Sequence, residues 1–230
     1  MSAPKTEVWS VGVCLYDYVT ALDFAGPVEL LGFLTPKRIA QKVAPLHKNG
    51  ASLFTKVAFE IDYLSVSLNP VVPDSGPRLV PTQLYSTEKQ YDILLVPGGS
   101  GGHPKGVPKE LLEFLKRQAP KARYVLAVCT GSWVLAATGL LDGKRATTAK
   151  DSFIETKETT SKAIEWVPKA RWVVDGNYWT SSGVTAGANM AYAFLVHIEG
   201  KEVAEALRGA IELSLKDADD DEFAEFFGLV

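Results

Sequence analysis

Three short apolar runs, each followed by turn residues and then a stretch with helical character, constrain this chain more than any other feature. Val8–Leu15, Tyr91–Val96 and Arg123–Val128 show little polar alternation, so strands made of them have no face to turn toward water. Strands of that kind belong inside a sheet covered on both sides. Helical patterns supply the cover: Pro27–Leu34 with Pro27 near its first turn, amphipathic Lys109–Gln118, mostly apolar Thr130–Leu141 ending near Gly143, and Ala186–Ile198 and Glu202–Lys216 around Gly200. Strands alternating with helices imply an α/β fold with a largely parallel sheet. Phe59–Leu68 alternates as a further strand, and Arg171–Ser182 reads as two short strands turning at Asp175-Gly176-Asn177. Thr35–Asn49, broken by Pro36 and Pro45, is ambiguous. Asn69–Pro81, with four prolines and a glycine, reads as a long surface excursion that needs no domain boundary. There is no internal repeat and no low-complexity linker, so residues 1–230 read as a single domain.

Charge and cysteine content narrow the function classes. The net charge is −3 with 22% charged residues, which argues against binding nucleic acid through phosphate neutralisation. No apolar run is long enough to span a bilayer, and the start, MSAPKTEVWSVGV, lacks the charged, apolar and small-residue order of a signal peptide. The two cysteines, Cys14 and Cys129, are too few for a disulfide framework, and the expected compartment is the reducing cytoplasm. His47, His103 and His197 are scattered and no Cys/His pair has zinc-ligand spacing, so no metal is expected.

The segment Tyr124-Val125-Leu126-Ala127-Val128-Cys129-Thr130-Gly131-Ser132 carries the chemistry. An apolar strand runs into Cys129 and a helix begins at once. A turn of this kind, a nucleophile elbow, lifts the side chain to the carboxyl end of the sheet, where open α/β sheets bind ligands. The N–H groups at the new helix's start favour thiolate, the nucleophilic form, and Gly131 lets the backbone turn without a Cβ clash. Cys14, inside a hydrophobic strand, reads as core. Asp23, in Asp23-Phe24-Ala25-Gly26-Pro27-Val28-Glu29, is either a helix N-cap or a carboxylate at the same sheet edge as Cys129, able to move protons. Glu29 is equally open between surface and site. Pro97-Gly98-Gly99-Ser100-Gly101-Gly102 follows a strand; its N–H groups either bind developing negative charge or form an ordinary turn. It lacks the Gly-Lys-Ser/Thr of a phosphate loop. His103 reads as a surface residue, and His197 as a packed or partly exposed helix residue. The acidic tail Asp217–Glu222 reads as solvated, with Phe223, Phe226 and Phe227 free to dock.

Several of these segments together resemble the DJ-1/PfpI superfamily, and within it the isonitrile hydratase (isocyanide hydratase) branch. They are Val128-Cys129-Thr130-Gly131-Ser132, Leu140-Leu141-Asp142-Gly143-Lys144-Arg145-Ala146-Thr147-Thr148, Asp23-Phe24-Ala25-Gly26-Pro27, Pro97-Gly98-Gly99 and Gly183-Val184-Thr185-Ala186-Gly187. The resemblance implies one glutamine amidotransferase-like domain. It also implies a flavodoxin-like three-layer α/β sandwich, a homodimer, a small-molecule substrate and no cofactor. By that pattern Cys129 is the nucleophile, Asp23 the general acid/base, and Thr130 shapes the site. Backbone amides near Gly98, Gly99 and Thr130 form an anion-stabilising pocket. The implied reaction is hydration of an isonitrile to an N-formamide through a covalent Cys129 thioimidate. The alternatives are a glyoxalase-like enzyme acting on small reactive carbonyls and a stress-protective protein that senses oxidation at Cys129. Two positions depart from related patterns. Ala149-Lys150 stand where the hydratase branch often carries His-Trp, and Thr130 stands where Cys-His proteases and glyoxalases of the superfamily tend to carry His.

Overall fold

The apolar runs form the middle of a seven-stranded sheet of order β3-β2-β1-β4-β5-β9-β8. The computed structural model describes residues 6–41 and 54–230. Met1–Lys5, Pro45, His47 and Asn49 lie outside them. The strands are β1 (Glu7–Cys14), β2 (Val57–Ser65), β3 (Gln83–Leu84), β4 (Ile93–Val96), β5 (Tyr124–Val128), β8 (Trp172–Asp175) and β9 (Tyr178–Ser181). All neighbours pair in parallel except β8 and β9, which form the antiparallel hairpin expected at Asp175-Gly176-Asn177. Gly176 takes the positive φ, 59°, that the turn needs. A separate pair, β6 (Arg145–Ala146) with β7 (Glu165–Trp166), was not foreseen; two residues a strand carry no period to read.

Helical crossovers flank the sheet. From β1 the chain moves outward to β2 through α1 (Ala21–Gly32); from β4 it moves the other way to β5 through α3 (Lys109–Gln118). Helix α1 packs on α6 (Thr185–Glu199), which packs on α7 (Lys201–Ala210), while α3 meets α4 (Gly131–Ala136). This is the expected α/β sandwich with a mostly parallel sheet. Val11, Val13, Ile93, Leu94, Leu95 and Val125 are fully buried at its centre, as strands without a polar face require.

Several boundaries differ from the sequence reading, each for a physical reason. Helix α1 begins six residues before Pro27 (27 − 21), which therefore lies inside it; burial of Asp23, Phe24, Leu30 and Leu31 outweighs the hydrogen bond that proline forfeits. Pro36 does not break a segment but opens a short helix, α2 (Pro36–Ala40), at the one position where its missing N–H costs nothing. Helix α4 stops at Ala136 and α7 at Ala210, both shorter than their apolar patterns. The excursion after Asn69 is pinned to the sheet edge: Val72 N donates to Asp17 Oδ1 (2.9 Å) and Ser100 N to Asp74 Oδ2 (2.9 Å). Two helices complete the chain, α5 (Phe153–Thr159) and α8 (Phe223–Phe226). In the segment before α8, Asp217, Asp219, Asp220 and Glu222 are exposed as expected of a solvated tail, but Asp221 is buried.

Candidate active site

Strands β1 and β4 are neighbours, yet the chain leaves them in opposite directions. This is the switch point at which open sheets form a crevice. Asp23 follows β1, Gly98 and Gly99 follow β4, and Cys129 follows β5 on the next strand along. Parallel pairing carries all of them to one sheet edge.

The elbow is built under constraint. Cys129 sits at φ 59°, a conformation that residues with a Cβ rarely adopt. Its N–H is shared between the Ser181 and Ser182 carbonyls, both at 3.1 Å. Its carbonyl accepts Ser132 Oγ (3.0 Å) and Thr148 Oγ1 (3.1 Å). A Cβ on Gly131 would land on the Val96 carbonyl oxygen, so only glycine lets α4 start this close to β4. Val184 is a second strained residue, β-branched at φ 22°, and its N–H and that of Thr130 point at the Cys129 sulfur. The Gly183-Val184-Thr185-Ala186-Gly187 motif marked this segment in the sequence but not the strained residue within it.

Asp23 is not a helix cap. Thr20 holds the N-cap position, and Asp23 lies in the first turn with no exposed surface. Its Oδ2 accepts Gly98 N (2.9 Å), its Oδ1 makes no aligned hydrogen bond, and the Cys129 thiol faces the carboxyl. Burial raises the Asp23 pKa to about 7, although the Gly98 N–H and the Cys129 thiol both pull it down. Burial, and then the Asp23 charge, push the Cys129 pKa up, against the N–H groups of Thr130 and Val184. The N–H at the helix start does favour thiolate, as the sequence suggests, but the net shift is upward. Helix α4 is only six residues long, and desolvation outweighs its pull. At rest the proton belongs to a coupled thiol–carboxyl pair.

The glycine loop also behaves differently from expectation. Gly98 and Gly99 do reach the site, but their N–H groups are already engaged, Gly98 with Asp23 and Gly99 with Thr130 Oγ1 (3.0 Å). They hold the acid and the hydroxyl in place instead of facing a ligand. A Cβ on Gly98 would come within 2.5 Å of Thr130 N, so the loop fits only as glycine. Thr130 Oγ1 also donates to Gly99 O (3.2 Å), and Tyr16 Oη donates to Pro97 O (2.7 Å). Glu29 points to solvent toward Arg38, at 3.7 Å. His103 packs edge-on against Trp133, and His197 meets Tyr124 Oη at 3.1 Å; neither lines the cavity at Cys129. Cys14 is fully buried, and burial pushes its pKa up.

That cavity, about 300 Å³, is walled by Val184 of the Gly183–Gly187 motif, by Lys150, Phe223 and Phe227, and by Arg171, which the sequence did not single out. The C-terminal segment thus docks at the site. Lys150 Nζ is satisfied by Thr147 Oγ1 (2.9 Å), Ala170 O (2.8 Å) and Asp221 Oδ2 (3.0 Å). Burial pulls its pKa down, and Asp221 restores part of it. Asp221 Oδ1 in turn accepts the Phe223 and Ala224 N–H groups, starting α8. Among the described residues, no group of three or more His, Cys, Asp or Glu is arranged to hold a metal ion, and no helix is long and apolar enough to cross a membrane.

A family model described as the DJ-1/PfpI family matches residues 10–197. An isonitrile hydratase from Pseudomonas putida is 32% identical over 205 residues, covering 88% of this chain and 77% of the relative. The HTH-type transcriptional regulator GbdR of Pseudomonas aeruginosa is 30% identical over 205 residues, covering 88% of this chain but only 49% of the regulator, so the chain spans about half of that relative. Among solved structures, a THiJ/PfpI family protein from Pseudomonas syringae superposes with a TM-score of 0.72 at 24% identity, covering 100% of this chain and 88% of that one. Drosophila melanogaster DJ-1beta does so with a TM-score of 0.69 at 17% identity, covering 91% and 100%.

Proposed function

The chain belongs to the DJ-1/PfpI family, and on that premise we propose that it is a cofactor-independent cysteine enzyme that hydrates an isonitrile to an N-formamide. The observation that carries this reading is the pairing of a strained-elbow thiol with a buried carboxyl whose pKa is raised to about 7. A carboxyl so poised takes and returns protons near neutral pH. The similarity to the Pseudomonas putida isonitrile hydratase supports the choice of reaction.

In this mechanism Asp23 carboxylate takes the Cys129 thiol proton as sulfur attacks the terminal isonitrile carbon, and then gives that proton to the carbon. A thioimidate results. Asp23, ionised again, takes a proton from water as its oxygen adds to that carbon, and passes the proton to nitrogen. The carbon–sulfur bond then breaks, the hydroxyl proton leaves through Asp23, and Cys129 is restored as a thiol. One isonitrile and one water give one N-formamide. The same reading includes a homodimer, as the family resemblance implies, working in the reducing cytoplasm that the low cysteine content suggests.

Turnover of cyclohexyl isonitrile, followed by appearance of the formamide, tests the proposal. Wild type is expected to be active without added cofactor and Cys129→Ser inactive, with a covalent adduct trapped on Cys129 by mass spectrometry. Loss of methylglyoxal without isonitrile turnover would overturn it in favour of carbonyl chemistry.

A further inference from the structure

The wall of the Cys129 cavity holds two buried cations, Lys150 and Arg171. Lys150 is paired with Asp221 at 3.0 Å. Arg171, only 4% exposed, has no carboxylate within ion-pair distance among the described residues. Its guanidinium meets neutral oxygens alone: Asn189 Oδ1 at 3.2 Å from Nε and 2.9 Å from Nη2, and Thr185 Oγ1 at 3.4 Å from Nη2. Nη1 has no hydrogen-bond partner among the described residues. The arrangement is rigid, since Asn189 Nδ2 donates to Ser214 O (3.2 Å) and the Arg171 backbone N–H donates to Ala218 O (2.6 Å).

A buried guanidinium without a counter-charge is costly, and its planar fork matches a carboxylate. The rest of the wall is largely apolar, with Ala149, Val184, Phe223 and Phe227. Asp151 also lines the cavity; it is exposed, and its charge reaches Cys129, so a bound carboxylate depends on Arg171 to outweigh it. We infer that Arg171 is a specificity residue and that the cavity takes a substrate with a compact apolar body carrying a carboxylate, which the Arg171 guanidinium binds while the reacting carbon meets Cys129. The assignment of that substrate as an isonitrile rests on the proposed hydratase function; the anion site does not.

Two measurements separate the two ideas. In the first, iodoacetamide alkylation of Cys129 is followed by mass spectrometry in the presence of benzoate or benzamide. Benzoate is expected to protect at concentrations about tenfold lower or less, the scale of a charge-assisted hydrogen bond. Arg171→Gln is expected to abolish the difference and Arg171→Lys to keep part of it. Equal protection of wild type by the two compounds would overturn the anion site, whether or not the variants fold. In the second, wild-type kcat/KM is compared for 4-isocyanobenzoate and its methyl ester, with the carboxylate expected to be favoured about tenfold or more. Protection by benzoate with neither isonitrile turned over leaves the anion site standing and sinks the hydratase reading. Equal turnover of both, with equal protection, does the reverse.

Discussion

At the scale of single residues, Asp23 decides most. Its Oδ1 is buried without an aligned hydrogen bond, a situation that costs roughly 1–3 kcal/mol and calls for a reason. Proton transfer with Cys129 supplies one. Asp23→Asn keeps the shape and the Gly98 contact but removes the base, so kcat/KM is expected to fall on the order of a hundredfold or more. In wild type, kcat/KM is expected to rise with pH through about 7, where Asp23 loses its proton. Stability moves the opposite way. A carboxyl raised from its ordinary value to about 7 binds more protons folded than unfolded between those limits. Wild-type stability therefore falls as pH rises through that window. Asp23→Asn, which cannot ionise, is expected to melt with wild type near about pH 4 and above it past pH 7, by up to about 4 kcal/mol of unfolding free energy. A melting-temperature difference that did not change with pH would remove Asp23 from the titrating pair.

At the scale of elements, the C-terminal segment turns on one ion pair. Lys150 follows the Thr147-Thr148 stretch and Asp221 precedes α8, so their contact ties the tail to the wall of the cavity and brings Phe223 and Phe227 with it. Both side chains are almost wholly buried, at 2% and 1% exposure, so removing one strands the other's charge. Asp221→Asn is expected to cost about 3–5 kcal/mol, whereas adding Lys150→Met should recover most of that loss. Urea unfolding of the two single variants and the double variant closes the cycle. A double variant as unstable as the sum of the singles would show that the pair does not couple. Asp221 looked solvated in the sequence because charge density is a local property, and Lys150, which neutralises it, lies 71 residues away (221 − 150).

At the scale of the whole molecule, the sheet order sets what faces what. Because the chain leaves β1 and β4 in opposite directions, the first turn of α1 and the glycine loop open onto one crevice beside the β5 elbow. Outside it, Tyr18, Leu22 and Val72 are exposed, and the Tyr18 N–H donates to the Val72 carbonyl, which brings two of them together. A family-like homodimer is expected to give twice the chain mass by light scattering at micromolar concentration. A monomer across that range would count against it. Activity is expected to survive dialysis against a chelator.

The elements legible in the sequence were those with strong local signals. Unbroken apolar runs marked β1, β4 and β5, a clean amphipathic period marked α3, and Asp175-Gly176-Asn177 marked the β8–β9 turn. Cys129 was legible for the same reason: strand, cysteine and helix onset are contiguous, and Gly131 betrays a backbone that tolerates no Cβ. Asp23 and Gly98 were visible as candidates, but their roles were not. Whether Asp23 caps a helix or faces a thiol depends on where α1 begins, and burial against α6 overrides the break that Pro27 suggests. Whether Gly98 and Gly99 offer their N–H groups to a ligand depends on which oxygens the folded chain brings within 3.0 Å, and those belong to Asp23 and Thr130. Arg171 carries no motif at all, Lys150 shows only as a departure from the hydratase pattern, and Asp221 only as one member of an acidic run. Their meaning lies in desolvation and in charges paired or left unpaired across the fold, and those energies do not exist until tertiary contacts exclude the water.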